Sequence, residues 1–178
     1  MMYADDKSLY ASHLQPAKAA EIVSSVVDQF SNALDDDGLS INSTKTVSMF
    51  IQPLSNLPLD ADVHVLYRGT PLATVSTMRC LGIEVDNRLS WSSHVDHIAT
   101  KVGRKIGALR RARQQLTLMA RRQFFISVIQ PDLEYGVVAF LPSLPATERQ
   151  RLLSLFRRGV RAAAGAHPQA DDVHLMRG

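Results

Sequence analysis

The stretch from Trp91 to Arg111, WSSHVDHIATKVGRKIGALRR, separates a strand-rich first half of the chain from a helical second half. Its apolar residues recur at the three- and four-residue spacing of one helix face, and its basic residues fall on the other faces. The apolar stripe comprises Val95, Ile98, Val102, Ile106 and Leu109, and the basic set comprises Lys101, Arg104 and Lys105. The pattern predicts a long amphipathic helix that packs one side against a core.

Two more helices are expected after this one. The first begins near Thr117 and ends before Pro131, because a proline disfavours helical geometry in the residue before it. The second runs from about Thr147 and stops at Gly165, a residue type that often follows the last helical turn.

The first half of the chain has mostly the pattern of short strands around one helix. Residues 1–10 suit a hairpin with Asp5 and Asp6 near its tip, and apolar residues at helical spacing follow from Pro16 until Gly38. Strands are expected at Lys45–Ile51, on both sides of Arg68-Gly69-Thr70, and over Arg79–Val85. The expected fold class is therefore α+β, with a helix on a few mainly antiparallel strands, followed by a helical region.

Composition narrows the class of protein. The chain has 178 residues, of which 46% are hydrophobic and 21% charged, as in a folded domain. Its one cysteine, Cys80, cannot form an internal disulfide and fits a reducing compartment. The most apolar stretch, residues 126–144, is broken by two prolines and two acids, so no membrane-spanning helix is expected. The acids at positions 5 and 6 argue against a signal peptide.

Charge is distributed unevenly along the chain. Residues 1–96 contain 12 acidic and 6 basic residues, a net charge of −6, and residues 97–178 contain 5 acidic and 14 basic residues, a net charge of +9. No acid occurs between Asp96 and Asp132. This separation indicates a polyanionic partner for the second half, although a solvated basic helix face gives the same pattern.

The adjacent acids Asp5 and Asp6 are candidate metal ligands. Neighbouring carboxylates repel each other, so a cation between them favours the state in which both are ionised. Hard oxygen ligands on a tight turn suit Mg²⁺. A frayed chain terminus is the alternative interpretation of the same four residues, Tyr3-Ala4-Asp5-Asp6.

Four segments, in this order, resemble the reverse transcriptases of non-LTR (LINE-type) retrotransposons. After the acidic pair, residues 38–46 (GLSINSTKT) are similar to the family's G-L-x-x-N-x-x-K-T segment. Residues 80–86 (CLGIEVD) with Leu89, Trp91 and His94 resemble Y-L-G-[VI]-x-[LV]-D…L-x-W-x-x-H, with Cys80 in place of the usual aromatic residue. Residues 129–136 (IQPDLEYG) resemble the thumb-region P-x-L-x-Y-G, and residues 149–165 resemble the basic helix that follows it.

This resemblance implies a role for several residues. Asp5 and Asp6 correspond to the acidic pair of the palm that holds catalytic Mg²⁺ in two-metal nucleotidyl transfer. Lys45 falls where a cation near the leaving pyrophosphate can act as general acid, although a solvated lysine at a strand start fits equally well. Leu81 and Gly82 correspond to the primer-grip hairpin, where glycine lets the backbone approach the primer; a plain strand bulge is the alternative.

The resemblance also implies partners, location and domain organisation. The partners are an RNA template and a DNA primer, with no membrane, and the protein is expected inside the cell, in the nucleus or cytoplasm as a ribonucleoprotein. Residues 1–90 correspond to the C-terminal part of an incomplete palm, residues 91–165 to a thumb and residues 166–178 to a tail. The other metal-binding aspartate, the nucleotide-binding segment and the fingers precede the acidic pair in the family, so the chain alone is expected to be inactive.

The basic helices are expected to follow the template–primer backbone through phosphate contacts. The candidate residues are Lys101, Arg104, Lys105, Arg110, Arg111, Arg113, Arg121 and Arg122. A second hypothesis retains this interface without any catalysis: a basic helical module that binds nucleic acid.

Two histidines and the single tryptophan are weaker candidates. His94 and His97 have the i, i+3 spacing of zinc ligands on one helix face, but no cysteine or acidic cluster completes a zinc site, and His94 is expected to pack in the first helical turn. Trp91 at the start of the amphipathic helix is expected to be a core anchor.

Overall fold

The computed structural model describes residues 2–3, 6–52 and 63–165, with side chains at 7–52 and 63–165. The chain divides into two compact units, residues 1–78 and residues 79–178. The described residues form a mixed α+β fold, 56% helical with a few short strands. The α+β class expected from the sequence is therefore confirmed at this coarse level.

One long helix organises the first unit. Helix α1 spans Pro16–Asp36, with proline in its first turn, where a missing backbone N–H costs no helical hydrogen bond. Gly38 follows it with a φ of 72°, a left-handed conformation that glycine adopts without strain. The helix predicted between Pro16 and Gly38 is confirmed.

The strands are short and pair two by two. In the first unit they are β1 (Met2–Tyr3), β2 (Asp6–Lys7), β3 (Val47–Ser48), β4 (Leu66–Tyr67), β5 (Thr70–Pro71) and β6 (Ala73–Thr74). The β1–β2 and β4–β5 pairs are antiparallel, as expected, whereas β3 pairs with β6 in parallel. The N-terminal hairpin is thus confirmed by its backbone pairing, with residues 4 and 5 of its connection lying outside the described residues.

Polar side chains of α1 hold the β4–β5 hairpin. The Ser24 hydroxyl accepts from the Leu66 N–H at 2.8 Å, and the Asp28 carboxylate accepts from the Arg68 N–H at 2.8 Å. The buried Ser31 hydroxyl lies 3.0 Å from that of Tyr67. A small apolar core of Ala20, Val65 and Leu72 lies in the same unit.

Each described strand pair of the first unit is an isolated two-stranded sheet, so strand edges are left without a backbone partner. Several apolar side chains of the unit are also exposed. They are Ile22, Val26, Leu39, Val47, Ile51 and Leu66.

The single strand predicted over Arg79–Val85 is wrong, because a tight turn divides it. Strand β7 spans Thr77–Cys80 and β8 spans Ile83–Asp86, and the two are paired. Leu81 and Gly82 between them have φ values of 47° and 84°. Positive φ at both central residues is the geometry of two-residue hairpin turns, and it is rare for leucine.

The described part of the second unit contains five α-helices: α2 (Ser92–Arg111), α3 (Leu118–Phe124), α4 (Gln130–Glu134), α5 (Val137–Phe140) and α6 (Ala146–Ala164). The core lies along α2, whose predicted stripe is buried as expected, and includes Ile129, Phe140 and Leu155 from the other segments. Trp91 is 7% exposed in this core, so its predicted role as an anchor is confirmed.

The prediction that Pro131 ends the second helix is wrong. The chain passes from α3 through a π-helical turn, Phe125–Ile129, directly into α4, with Pro131 in the first turn of α4. A proline inside a helix lacks an N–H and its ring crowds the carbonyl four residues earlier. The wider π turn just before Pro131 relieves that conflict, so the helical path continues.

Helix α6 packs very closely on this π turn. A Cβ atom added to Gly159 would lie 2.7 Å from the Phe125 ring and 3.5 Å from Ile129. The helix ends at Gly165, which has a φ of 73°, so the predicted stop is confirmed. The two compact units divide between Met78 and Arg79, within β7. The assignment of residues 1–90 to a palm and of residues 91–165 to a thumb stays a prediction.

Candidate nucleic-acid interface

The Leu81-Gly82 turn is held by a residue of the later P-x-L-x-Y-G segment. The Tyr135 hydroxyl donates to the Leu81 carbonyl oxygen at 2.6 Å. The Tyr135 ring lies beside Gly82, where an added Cβ would come within 3.3 Å of the ring edge. Glycine is therefore favoured at position 82, because a φ of 84° strains other residues and an added Cβ would crowd the adjacent ring.

A second glycine, Gly136, allows close packing between the same two segments. Gly136 has a φ of 65°, and a Cβ there would lie 2.5 Å from the Ile83 side chain. Two segments that are more than 50 residues apart in sequence, the β7–β8 turn and the α4–α5 junction, are thus packed against each other.

Asp86, at the end of β8, organises the loop that leads into α2. Its carboxylate accepts from the N–H groups of Arg88, Ser90 and Trp91 and from the Ser90 hydroxyl, at 2.7 to 3.2 Å. Burial acts to raise the pKa of Asp86, but these hydrogen bonds outweigh it and hold the pKa below its ordinary value. Leu89 and Trp91 have positive φ values, so the loop is strained where the carboxylate holds it.

His94 is buried in the first turns of α2. Its Nδ1 accepts from the Glu84 N–H at 3.4 Å, and its ring packs edge-on against Phe140 with centroids 4.9 Å apart. Burial lowers the pKa of His94, so the imidazole is neutral near pH 7. His97, by contrast, pairs with Glu84 at 3.4 Å.

These residues surround a groove of about 350 Å³ within the second unit. Its lining comes from the hairpin, α2 and α4, and consists of Arg79, Gly82, His94, His97, Ile98, Lys101, Pro131, Asp132 and Tyr135. The primer-grip candidate Gly82 and the nucleic-acid-binding candidate Lys101 therefore share one concave surface.

Two of the basic candidates are bound to an acid. Lys101 and Lys105 reach Asp132 at 3.0 and 2.5 Å, and Lys105 also donates to the Val128 carbonyl of the π turn at 2.8 Å. Burial acts to raise the pKa of Asp132, but the hydrogen bonds from the two lysines outweigh it and lower the pKa. Lys105 thus has a structural role, whereas Lys101 is more than half exposed at the groove.

Two other candidates lie at the end of α6. Arg113 donates to the Gly165 carbonyl at 2.5 Å, and a Cβ on Gly165 would meet the Arg121 guanidinium at 2.5 Å. Cations at this position stabilise the carbonyl groups and the negative dipole end of a helix. The sequence did not indicate this role.

The remaining basic candidates, Arg104, Arg110, Arg111 and Arg122, are exposed. Arg104 and Arg111 are seven residues, or about two turns, apart on α2 and therefore share a face. That face is opposite the buried stripe, so both guanidinium groups are available for phosphate contacts.

Lys45 lies in a turn built by the asparagine of its motif. The Asn42 side chain accepts from the N–H groups of Thr44 and Lys45 at 3.1 and 3.3 Å, and the Lys45 side chain is exposed. Asp5 lies outside the described residues, as does the side chain of Asp6. The arrangement of the three predicted catalytic residues is thus left as a prediction.

The described residues give no support for a metal site. Within 7–52 and 63–165, no group of three or more His, Cys, Asp or Glu residues has the geometry to hold a metal ion. Magnesium at Asp5 and Asp6 stays a prediction from the sequence.

One helical stretch, Leu118–Ser143, is long and apolar enough to span a membrane, by length and composition only. Within it the chain leaves helical geometry at Tyr135, with a ψ of 120°, and at Gly136, with a φ of 65°. That break does not suit a straight span, and a single such stretch is weak evidence. The absence of a membrane partner stays a prediction.

Sequence reasoning missed two members of this site. Asp132 was noted only as the end of an acid-free run, and nothing local indicates that two lysines of α2 would reach it. Arg79 was included in a strand without a role.

Comparison of the chain with family models, with curated proteins and with solved structures gives no match.

Proposed function

We propose that the chain is the C-terminal palm and thumb part of an RNA-directed DNA polymerase of the non-LTR retrotransposon type, and that its second unit binds a template–primer duplex. In the intact parent enzyme the reaction is two-metal nucleotidyl transfer, with Mg²⁺ on Asp5 and Asp6. The partners are an RNA template and a DNA primer, in an intracellular ribonucleoprotein.

One observation carries this proposal. The residues of three separate motif segments meet around one groove: Gly82 of the hairpin, His94 of the W-x-x-H segment and Tyr135 of the P-x-L-x-Y-G segment. Their contacts explain the residue types, because Gly82 lies against the Tyr135 ring and Tyr135 donates to the Leu81 carbonyl. The meeting of these three segments around one groove supports the proposal.

Charge supports nucleic acid as the partner. Exposed guanidinium groups on α2 lie in the same unit as the groove, and a protein that neutralises phosphates releases counterions from the duplex. Binding should therefore weaken steeply with salt.

The experiment is a fluorescence-anisotropy titration of a labelled RNA–DNA hybrid with a recessed primer 3′ end, over a range of salt concentrations. We expect Arg104→Gln to reduce the log–log salt slope by about one, because one phosphate contact is lost. Arg68→Gln, an exposed arginine of the first unit that pairs with Asp35, is the matched control and should leave the slope unchanged. Salt-independent binding, or equal effects of both substitutions, contradicts the proposal.

The same titration distinguishes the second candidate, a basic module without catalytic ancestry, which the exposed arginines of α2 also favour. A polymerase part prefers a recessed primer end over a blunt duplex, and Mg²⁺ strengthens that preference through Asp5 and Asp6. A basic module binds both duplexes equally, and Asp5→Ala has no effect on it.

A further inference from the structure

Two arginines meet at the C-terminal end of α6 without an acid between them. Arg113, from the connection between α2 and α3, donates to the Gly165 carbonyl oxygen. A Cβ added to Gly165 would lie 2.5 Å from Nη1 of Arg121 and 3.3 Å from Nε of Arg113, so the two guanidinium groups are close neighbours. Among the described residues, neither arginine forms an ion pair with Asp or Glu.

The end of α6 offsets only part of this positive charge. The carbonyl groups at a helix C-terminus act as roughly half a negative charge, whereas two guanidinium groups carry two full positive charges. Within the part of the chain that the structure describes, Nε of Arg121 is buried and has no hydrogen-bond partner. A buried donor of a charged group destabilises the folded state until an acceptor is supplied. The pair of arginines therefore lacks an anion with several acceptor oxygens.

The chain carries two acids shortly after this point. Asp171 and Asp172 follow Gly165 by six and seven positions, within residues 166–178, which lie outside the described residues. Residues 149–170 contain no other acid. Six extended residues span about 20 Å, so both carboxylates can reach the end of α6. A short connection also gives them a high effective concentration there.

We propose that the segment after α6 folds back, so that Asp171 and Asp172 bind the guanidinium groups of Arg113 and Arg121. A carboxylate can accept two parallel N–H groups from one guanidinium, and this bidentate pairing is among the stronger charge-assisted contacts. Two carboxylates neutralise two arginines. The inference assigns an intramolecular partner to two residues that the sequence predicted to contact phosphate, and it does not depend on nucleic acid as a partner of the other basic residues.

The first test observes the arginines directly, in ¹H–¹⁵N spectra of the Nε–H groups of the full chain. The Arg113 and Arg121 signals should shift in the double variant Asp171→Asn/Asp172→Asn, because their N–H groups lose charged acceptors. The matched control is Asp36→Asn/Asp37→Asn, which removes the same charge from an adjacent, exposed acidic pair of the first unit and should leave both signals in place. Unmoved signals in the first variant, or equal shifts in both variants, overturn the inference.

A charge exchange tests the pairing itself through stability. Arg113 is exposed, so Arg113→Glu leaves the core intact. In the wild-type background, Asp171→Lys/Asp172→Lys should raise the equilibrium constant of urea unfolding, and in the Arg113→Glu background the same change should lower it by about two- to fivefold, as for an exposed ion pair. A purely structural role of Arg113 gives no such reversal of sign. The same sign in both backgrounds overturns the inference.

Addition of an RNA–DNA hybrid separates the acidic segment from nucleic acid as the occupant. If the hybrid shifts the Arg113 and Arg121 signals of the wild-type chain and Asp171→Asn/Asp172→Asn does not, the arginines bind phosphate and the inference fails. If the double variant shifts them and the hybrid does not, the inference stands. If both shift them, the acidic segment occupies the arginines until nucleic acid displaces it, and the inference also stands.

Discussion

The loop from Asp86 to Trp91 depends on one carboxylate, and replacing that carboxylate should destabilise the whole helical unit. Asp86 accepts three backbone N–H groups, and the one from Trp91 is buried with an N···O distance of 2.7 Å. Removing a charged acceptor from buried or half-buried donors costs about 1–3 kcal/mol each. For three donors, Asp86→Ala should lower the free energy of unfolding by about 4 kcal/mol.

The milder substitution Asp86→Asn keeps one oxygen and the volume of the side chain. Its amide replaces the oxygen that faces the Trp91 N–H, so one buried donor meets another donor. We expect a loss of about 2 kcal/mol. This variant keeps the experiment informative if the alanine variant does not fold, since total stabilities are only about 5–15 kcal/mol.

The assay is urea unfolding of the full chain, followed by tryptophan fluorescence. Trp91 is the only tryptophan of the chain and is buried in the second unit, so its signal reports that unit. Asp96→Asn is the control, because Asp96 is a mostly exposed partner of Arg151 and should cost less than about 1 kcal/mol. A loss below about 1 kcal/mol for Asp86→Ala would refute the argument that this carboxylate holds the loop.

The pH dependence of stability provides a second measurement of the role of Asp86. The pKa of folded Asp86 is below its ordinary value, so the unfolded chain binds its proton first as the pH falls. Its stabilisation is therefore full above about pH 5 and is lost as the pH falls through the ordinary value and then through the folded one. The gap between the wild-type protein and Asp86→Asn should narrow over that range.

Three further predictions concern the contacts of the second unit. Gly159→Ala should destabilise the protein by about 1–2 kcal/mol, because the added Cβ would meet the Phe125 ring. Gly103→Ala in α2, with open space around it, should stabilise the protein by about 0.5–1 kcal/mol. The reverse order of stabilities in urea unfolding would contradict the packing argument. Tyr135→Phe should cost about 1 kcal/mol by removing the hydroxyl bond to the hairpin turn, measured the same way, and no loss means that water replaces the bond. Asp132→Asn should lower stability by about 1 kcal/mol near pH 7 and tighten duplex binding, because two lysines lose their acid. Since the pKa of Asp132 is lowered, the stability difference should shrink as the pH falls through the ordinary carboxylate range and vanish once folded Asp132 is protonated. Weaker duplex binding would contradict the assignment.

Local pattern was sufficient for the long helices and insufficient for the turns and short helices between them. The apolar spacing after Pro16 and after Trp91 predicts α1 and α2 because burial of one helix face leaves a repeat in the sequence. Leu81 shows the limit: a leucine at a φ of 47° gives no local signal, since the neighbouring Tyr135 holds that turn from 54 positions away. Pro131 shows a second limit. The expectation that a proline ends a helix assumes regular α-helical geometry before it, and here a π turn precedes the proline.

For the candidate interface, the sequence identified the basic residues but did not assign their individual roles. Charge counting found the basic residues, but it could not separate two exposed arginines: Arg113, which donates to the end of α6, and Arg104, which lies on the face of α2 opposite the core. Both are arginines in the same acid-free run. Their difference arises from the packing of α6, an element that lies more than 30 residues later in the chain.

The sequence by itself determined the helical second half, its basic character and the order of the motif segments, because these depend on spacing and composition along the chain. Tertiary structure alone decided which of those segments touch: Gly82 against Tyr135, and Lys101 and Lys105 on Asp132. The physical reason is distance along the chain. Periodicity records how each element meets solvent and core, whereas the partner of a side chain is set by elements that fold against it from far away in sequence.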